Sequence, residues 1–154
     1  MPPTGGWEIV QPDELGPQFR ALQGRRAGLQ RRLAIMARDP CDSALGAYRL
    51  SGPLAPAVCG LRLDREYRLA FTMQSALTDE DRPRVVLLYV GKREPGHRVV
   101  RPSDIWDDLH DLFGVGNPPA DHHKPPCCDG GRPDLGGADL DAFFRALRRF
   151  NRGR

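Results

Sequence analysis

Glu66-Tyr67-Arg68-Leu69-Ala70-Phe71-Thr72-Met73, followed beyond a charged link by Val85-Val86-Leu87-Leu88-Tyr89-Val90, decides the reading of the chain. In the first run Tyr67, Leu69, Phe71 and Met73 alternate with Arg68, Ala70 and Thr72. That is the two-residue period of a half-buried strand. The second run is apolar throughout, which fits a central strand covered on both faces. Just upstream, Val58 to Leu63 is a third strand signal, and the polar link Asp64-Arg65-Glu66 joins it to the first run as a hairpin. Tyr48 to Ser51 is a brief strand stopped by Gly52-Pro53. The charged loop Thr78 to Arg82 precedes the apolar run.

Further upstream the period changes to that of a helix. Phe19, Leu22, Leu29, Leu33 and Met36 form one apolar stripe, with Arg20, Arg25, Arg26, Arg31 and Arg32 on the other positions. Gly24 and Gly28 each cost about 1 kcal/mol relative to alanine, so one long helix and a helical hairpin broken near Gly24 both remain open. Asp39-Pro40 ends the helical region. Asp13 is placed to cap it, with Pro17 tolerated in its first turn. Trp7 to Val10 reads as a first strand. Downstream, Ser103 is expected to cap a helix over Asp104 to Phe113, with Ile105, Leu109 and Leu112 inward and Asp104, Asp107 and Asp108 at its positive start. Val115 to Gly137 is rich in Gly, Pro and Asp and reads as an irregular loop. Asp139 to Phe150 is helical by pattern, with Leu140, Phe143, Phe144 and Leu147 apolar and Arg145, Arg148 and Arg149 toward its end. The class is α+β, and no internal repeat is visible.

The 154 residues, 40% of them hydrophobic, suffice for one core, and no apolar run reaches the ~20 residues of a membrane span. Met1 to Trp7 has neither a basic start nor an apolar stretch, so no secretory signal is read there and a cytoplasmic location is expected. Cysteines stand at 41, 59, 127 and 128, two of them adjacent. Read as a vicinal pair they do not suggest a disulfide framework, in keeping with a reducing compartment. The net charge of +3 conceals an asymmetry: Phe19 to Arg101 carries +8, Pro102 to Asp141 carries −7, and Ala142 to Arg154 carries +5. A basic body of this kind suits a polyanion.

Three segments carry a family resemblance. Arg49-Leu50-Ser51-Gly52-Pro53-Leu54, Glu66-Tyr67-Arg68-Leu69 and Val90-Gly91-Lys92-Arg93-Glu94 stand in order after a basic helical region. They resemble the Leu-Ser-Gly turn, the Tyr-Arg-Leu strand and the Val-Gly-Lys-Arg strand end of RelE-type toxins, in the RelE/ParE superfamily of type II toxin-antitoxin systems. The likeness covers Trp7 to Val99, which suggests a toxin domain over residues 1–101 and a C-terminal extension over 102–154. The resemblance implies a small, mostly antiparallel sheet packed against N-terminal helices. It also implies cleavage of mRNA on the ribosome, or gyrase inhibition in the ParE branch, with a cognate antitoxin as protein partner. No membrane partner is expected, and the residues set no oligomeric state.

Metal-independent RNA cleavage uses the neighbouring 2′-hydroxyl as nucleophile and needs a proton acceptor, a stabiliser of charge on phosphorus and help for the leaving oxygen. Arginine suits the second task because its planar fork binds phosphate oxygens and stays charged. By resemblance, Arg68 is assigned to the scissile phosphate and Arg93 to the transition state or leaving group. Arg62, six residues before Arg68, shares its face if the hairpin keeps register. Lys92 and Arg65 are expected as outer phosphate contacts, and Tyr67 as an RNA contact. The family's later aromatic falls on Val99 here and its upstream lysine near Gly60; His97 is near and has a suitable ordinary pKa for proton transfer. For every one of these arginines the competing reading is a solvated or salt-bridged surface residue.

His122-His123-Lys124-Pro125-Pro126-Cys127-Cys128 gathers metal-capable ligands, with His110 upstream. Zinc held by His110, His122, Cys127 and Cys128 is one reading. Packing of the two cysteines beneath the loop with solvated histidines is the preferred one. No catalytic metal and no cofactor are expected. Three functions are weighed: an endoribonuclease (mRNA interferase) whose Arg68 and Arg93 converge on an exposed concave sheet; a non-catalytic binding protein acting on gyrase or an antitoxin; and self-regulation, with acidic residues 102–141 folded across the basic face. For the last, a plain acidic helix on the sheet edge is the preferred alternative.

Overall fold

A computed structural model describes residues 6–22, 24, 26–50, 57–75, 81–92, 126–129 and 133–152. Each strand expected from the sequence forms: β1 (Glu8–Val10), β2 (Tyr48–Arg49), β3 (Cys59–Arg62), β4 (Tyr67–Gln74) and β5 (Arg84–Lys92). They make one sheet in the order β1-β5-β4-β3-β2. β1 runs parallel to β5 and the other pairings are antiparallel. The molecule is therefore α+β with a mixed, mostly antiparallel sheet. Ala70 pairs with Tyr89 but Phe71 with Leu87, so Leu88 is one residue extra in β5, a β-bulge.

The helical region is divided at Gly24, while Gly28 lies within the second helix. A 3-10 turn (Asp13–Leu15) leads into α1 (Gly16–Leu22), and α2 (Arg26–Arg38) follows. Of the two alternatives the sequence leaves open, the broken one is adopted. Leu22, Leu29, Leu33 and Met36 are buried, as the stripe requires. Asp13 is not a cap: Pro12 holds the cap position without a side-chain bond, and Asp13 lies inside the first turn beside Glu14. The helix expected over Asp104 to Phe113 lies outside the described residues.

The faces of the sheet follow from register, because paired residues share a face. Tyr67, Leu69, Phe71 and Met73 point to one side, where the Tyr67 hydroxyl donates to the Ala21 carbonyl at 3.4 Å at the end of α1. Arg68, Ala70, Thr72 and Gln74 point to the other, with Val86 and Val10 beside them. The C-terminal helix α3 (Gly137–Arg152) occupies this second side. Leu140 and Phe144 share a pocket lining with Val10, Gln74 and Val86. Phe150 meets Tyr89 edge to face at 6.4 Å. Leu140, Phe143 and Leu147 are buried within the same core as the strands. Helix α3, within the extension, is thus a layer of the one core.

Segment 133–135 continues the sheet where β3 stops. The Met73 amide donates to the Pro133 carbonyl at 3.2 Å, and the Leu135 amide donates to Thr72 Oγ1 at 3.1 Å. Thr72 Oγ1 in turn donates to the Ala57 carbonyl at 2.6 Å. Two disulfides anchor the chain just before this segment: Cys41–Cys128 and Cys59–Cys127, each with Cα atoms 5.7 Å apart. The expectation of unpaired cysteines is corrected. Adjacent cysteines need not bond to each other, since successive side chains point different ways. Cys127, buried, turns inward to Cys59 on β3, and the half-buried Cys128 reaches Cys41 after α2. The Cys127 amide also donates to the Ala47 carbonyl at 3.0 Å. Cys127 and Cys128 are therefore not zinc thiolates, and His110 and His122 lie outside the described residues.

Cys59–Cys127 closes a separation of 68 residues. Because Cys41–Cys128 already encloses this stretch, the second bond closes only the short circuit through 41–59 and 127–128, and its restraint of the unfolded chain contributes about 3 kcal/mol. Replacing both residues by serine should lower unfolding stability by roughly that amount in urea titrations. Thiol titration of the unfolded, unreduced wild-type protein should find no free sulfhydryl.

Candidate nucleic-acid interface

The candidate site is the hairpin between β3 and β4. Arg62 and Arg68 are direct partners across the two strands, so both leave the sheet on one face. Asp64 builds the turn between them. Its carboxylate Oδ1 accepts from the amides of Glu66 and Tyr67, both at 2.8 Å, an Asx-type turn. Its carbonyl oxygen faces the two arginines. Arg62 Nε donates to it at 3.2 Å and Arg68 Nη1 at 2.8 Å. Arg68 Nη1 also reaches the Tyr67 carbonyl at 3.1 Å. Two guanidinium groups thus converge on one backbone oxygen.

They differ in access. Arg62 is exposed, whereas Arg68 is only 7% exposed. Around Arg68 the face consists of Gly60, Ala70, Tyr89 and Gly91. Ala70 and Tyr89 are buried, Tyr89 against Phe150 of α3. The expected open, concave sheet around Arg68 is replaced by a covered one. Among the described residues, α3 reaches this face at Tyr89, through Phe150.

The other sequence candidates separate. Arg65, at the tip of the hairpin, is exposed. Lys92 pairs in register with Tyr67, on the face opposite Arg68, and its Nζ lies 3.3 Å from Glu66 Oε2. Tyr67 is half-buried toward α1. These two stand apart from the Arg62–Arg68 pair. Arg93, His97 and Val99 lie outside the described residues. No group of metal-capable side chains occurs among the described residues, and no helix there is long and apolar enough to cross a membrane.

No family model, curated protein or solved structure matches the chain. The site therefore rests on its own geometry.

Asp64 is the residue the sequence reading passed over as part of a polar link. The signal was there, because an aspartate opening a short hairpin connection bonds the amides two and three residues on. Asp64→Ala removes both acceptor bonds, costs about 1–2 kcal/mol and loosens both arginines together. Asp64→Asn keeps an acceptor and should retain most of the stability. Thermal unfolding of the two variants checks this ordering.

Proposed function

We propose that the protein is a RelE-like toxin acting on RNA, with the β3–β4 hairpin as its phosphate-binding end. The observation that carries the reading is the convergence of Arg62 and Arg68 on the Asp64 carbonyl. A guanidinium held in place before its ligand arrives loses little freedom on binding and suits a phosphate oxygen. Arg62 and Arg65 supply exposed charge, and Arg68 fixes the turn that presents them. In the cleavage reaction a 2′-oxygen attacks the adjacent phosphorus as its proton leaves to a base. The bond to the 5′-oxygen breaks, that oxygen takes a proton, and a 2′,3′-cyclic phosphate remains. Arg62 stabilises the charge that builds on the non-bridging oxygens. The resemblance assigns Arg93 to the transition state or leaving group, and mRNA on the ribosome and a cognate antitoxin to the partners; His97, close in sequence to the family's aromatic position at Val99, is the candidate for proton transfer.

One observation favours a second reading. Arg68 is buried and tied to two carbonyls, which suits a support better than a group that meets a reacting phosphate. In this reading the hairpin binds without cutting, and the target is a gyrase-like or antitoxin protein. Location bears on the choice. Disulfides persist in oxidising surroundings, so action in the cytoplasm requires the cysteine pairs to form or stay closed there. Acid-trapped thiols of the protein in its host report that state directly.

The deciding assay incubates the full chain with RNA, with and without ribosomes, and looks for 2′,3′-cyclic ends. The toxin reading expects cleavage and growth arrest, with Arg62→Ala lowering the cleavage rate about 100-fold while the protein stays folded. Growth arrest that persists in Arg62→Ala, with RNA intact, supports the non-catalytic reading instead.

A further inference from the structure

The outer face of α3 carries a second run of cations. Arg145, Arg149 and Arg152 are all exposed. Spaced by four and three residues, they fall on one stripe of the helix. Among the described residues none of them holds an ion pair or a hydrogen bond. Their neighbour Arg148 is different: its Nη1 is paired with Glu14 Oε2, which ties the helix to the turn before α1. The acids of α3, Asp139 and Asp141, sit at its start. Favourable interaction with the helix dipole accounts for cations in a last turn, and so covers Arg149 and Arg152. It does not account for Arg145, which lies in the second half of the helix but before that turn.

The placement of the stripe gives it a use. Phe150 packs on Tyr89, whose β4 partner is Ala70. The next residue along that face of β4 is Arg68, the partner of Arg62. The basic end of α3 therefore lies toward the end of the sheet that carries the Arg62–Arg68 pair. We infer that the Arg145–Arg149–Arg152 stripe is a second contact for the backbone of single-stranded RNA, extending the footprint of the hairpin along α3. The stripe spans about 10 Å at 1.5 Å per residue. With one guanidinium for each phosphate, the stripe meets up to three phosphates of the strand. This inference rests on the RNA reading of the hairpin.

The test measures binding of the full chain to a short unstructured RNA over a range of salt. Three proteins are compared: wild type, Arg145→Gln with Arg149→Gln and Arg152→Gln, and Arg62→Ala with Arg65→Ala. Circular dichroism and melting temperature establish that each is folded. The inference expects the triple variant to bind at least about tenfold more weakly at low salt. It also expects the slope of log affinity against log salt to fall by about 2, from three single-strand phosphate contacts at about 0.7 each. A triple variant with wild-type affinity and slope overturns the stripe alone, provided the hairpin variant is weakened. Wild-type protein that fails to bind RNA overturns the hairpin reading and the stripe together.

Discussion

Leu69, Phe71 and Met73 point to one side of the sheet, Ala70 and Thr72 to the other, and all five are withdrawn from water. A strand buried on both faces needs a layer on each, and the architecture follows from that demand. Helices α1 and α2 supply one layer immediately after β1. The second comes from the far end of the chain, where Leu140, Phe143 and Leu147 face the core from α3. Without it the face that carries Ala70 and Tyr89 would meet solvent, at a cost of roughly 25 cal/mol for each Å² of apolar surface.

Holding a distant helix in place is a problem of chain entropy, and the molecule meets it in several ways at once. The paired cysteines bring residues 127 and 128 back to β3 and to the end of α2. Thr72 then receives the Leu135 amide, so the strap enters α3 from the edge of the sheet. At its other end α3 is fastened by side chains. Gln18 Nε2 donates to Asn151 Oδ1 at 2.8 Å, and Asn151 Nδ2 donates to the Glu14 carbonyl at 2.8 Å. Arg148 adds its pair with Glu14. The helix is fixed by apolar contact along its length and by polar contact at its tip.

Much of this was legible in the sequence where period and punctuation are strong. The five strands, the stripe from Leu22 to Met36 and the C-terminal helix all follow from local pattern, which left open whether the helical region breaks near Gly24. What escaped was long-range. Nothing in the spacing of Cys127 and Cys128 says that each has a different partner far upstream, because pairing is set by the fold. The burial of β4 on both faces escaped for the same reason: its alternation predicts a half-buried strand, and α3, which packs on Tyr89 and beside Val86, comes from far along the chain. The proximity of Arg62 to Arg68 was readable, since the short link Asp64-Arg65-Glu66 fixes the register of the hairpin. Asp64 was read only as polar, although its role as organiser is a local one.

β1 has no sequence neighbour in the sheet. Its three residues lie parallel to β5 in the register Glu8 to Arg84, Ile9 to Val85 and Val10 to Val86. The turn that follows β1 is bound in addition by the last helix. The first strand must therefore wait, its edge unmatched, until β5 has been made, and closure of the core awaits the arrival of α3. Contacts so remote in sequence slow folding. A nascent chain of this kind exposes one apolar face of its sheet until α3 has been made, which makes that interval the period of greatest exposure to aggregation.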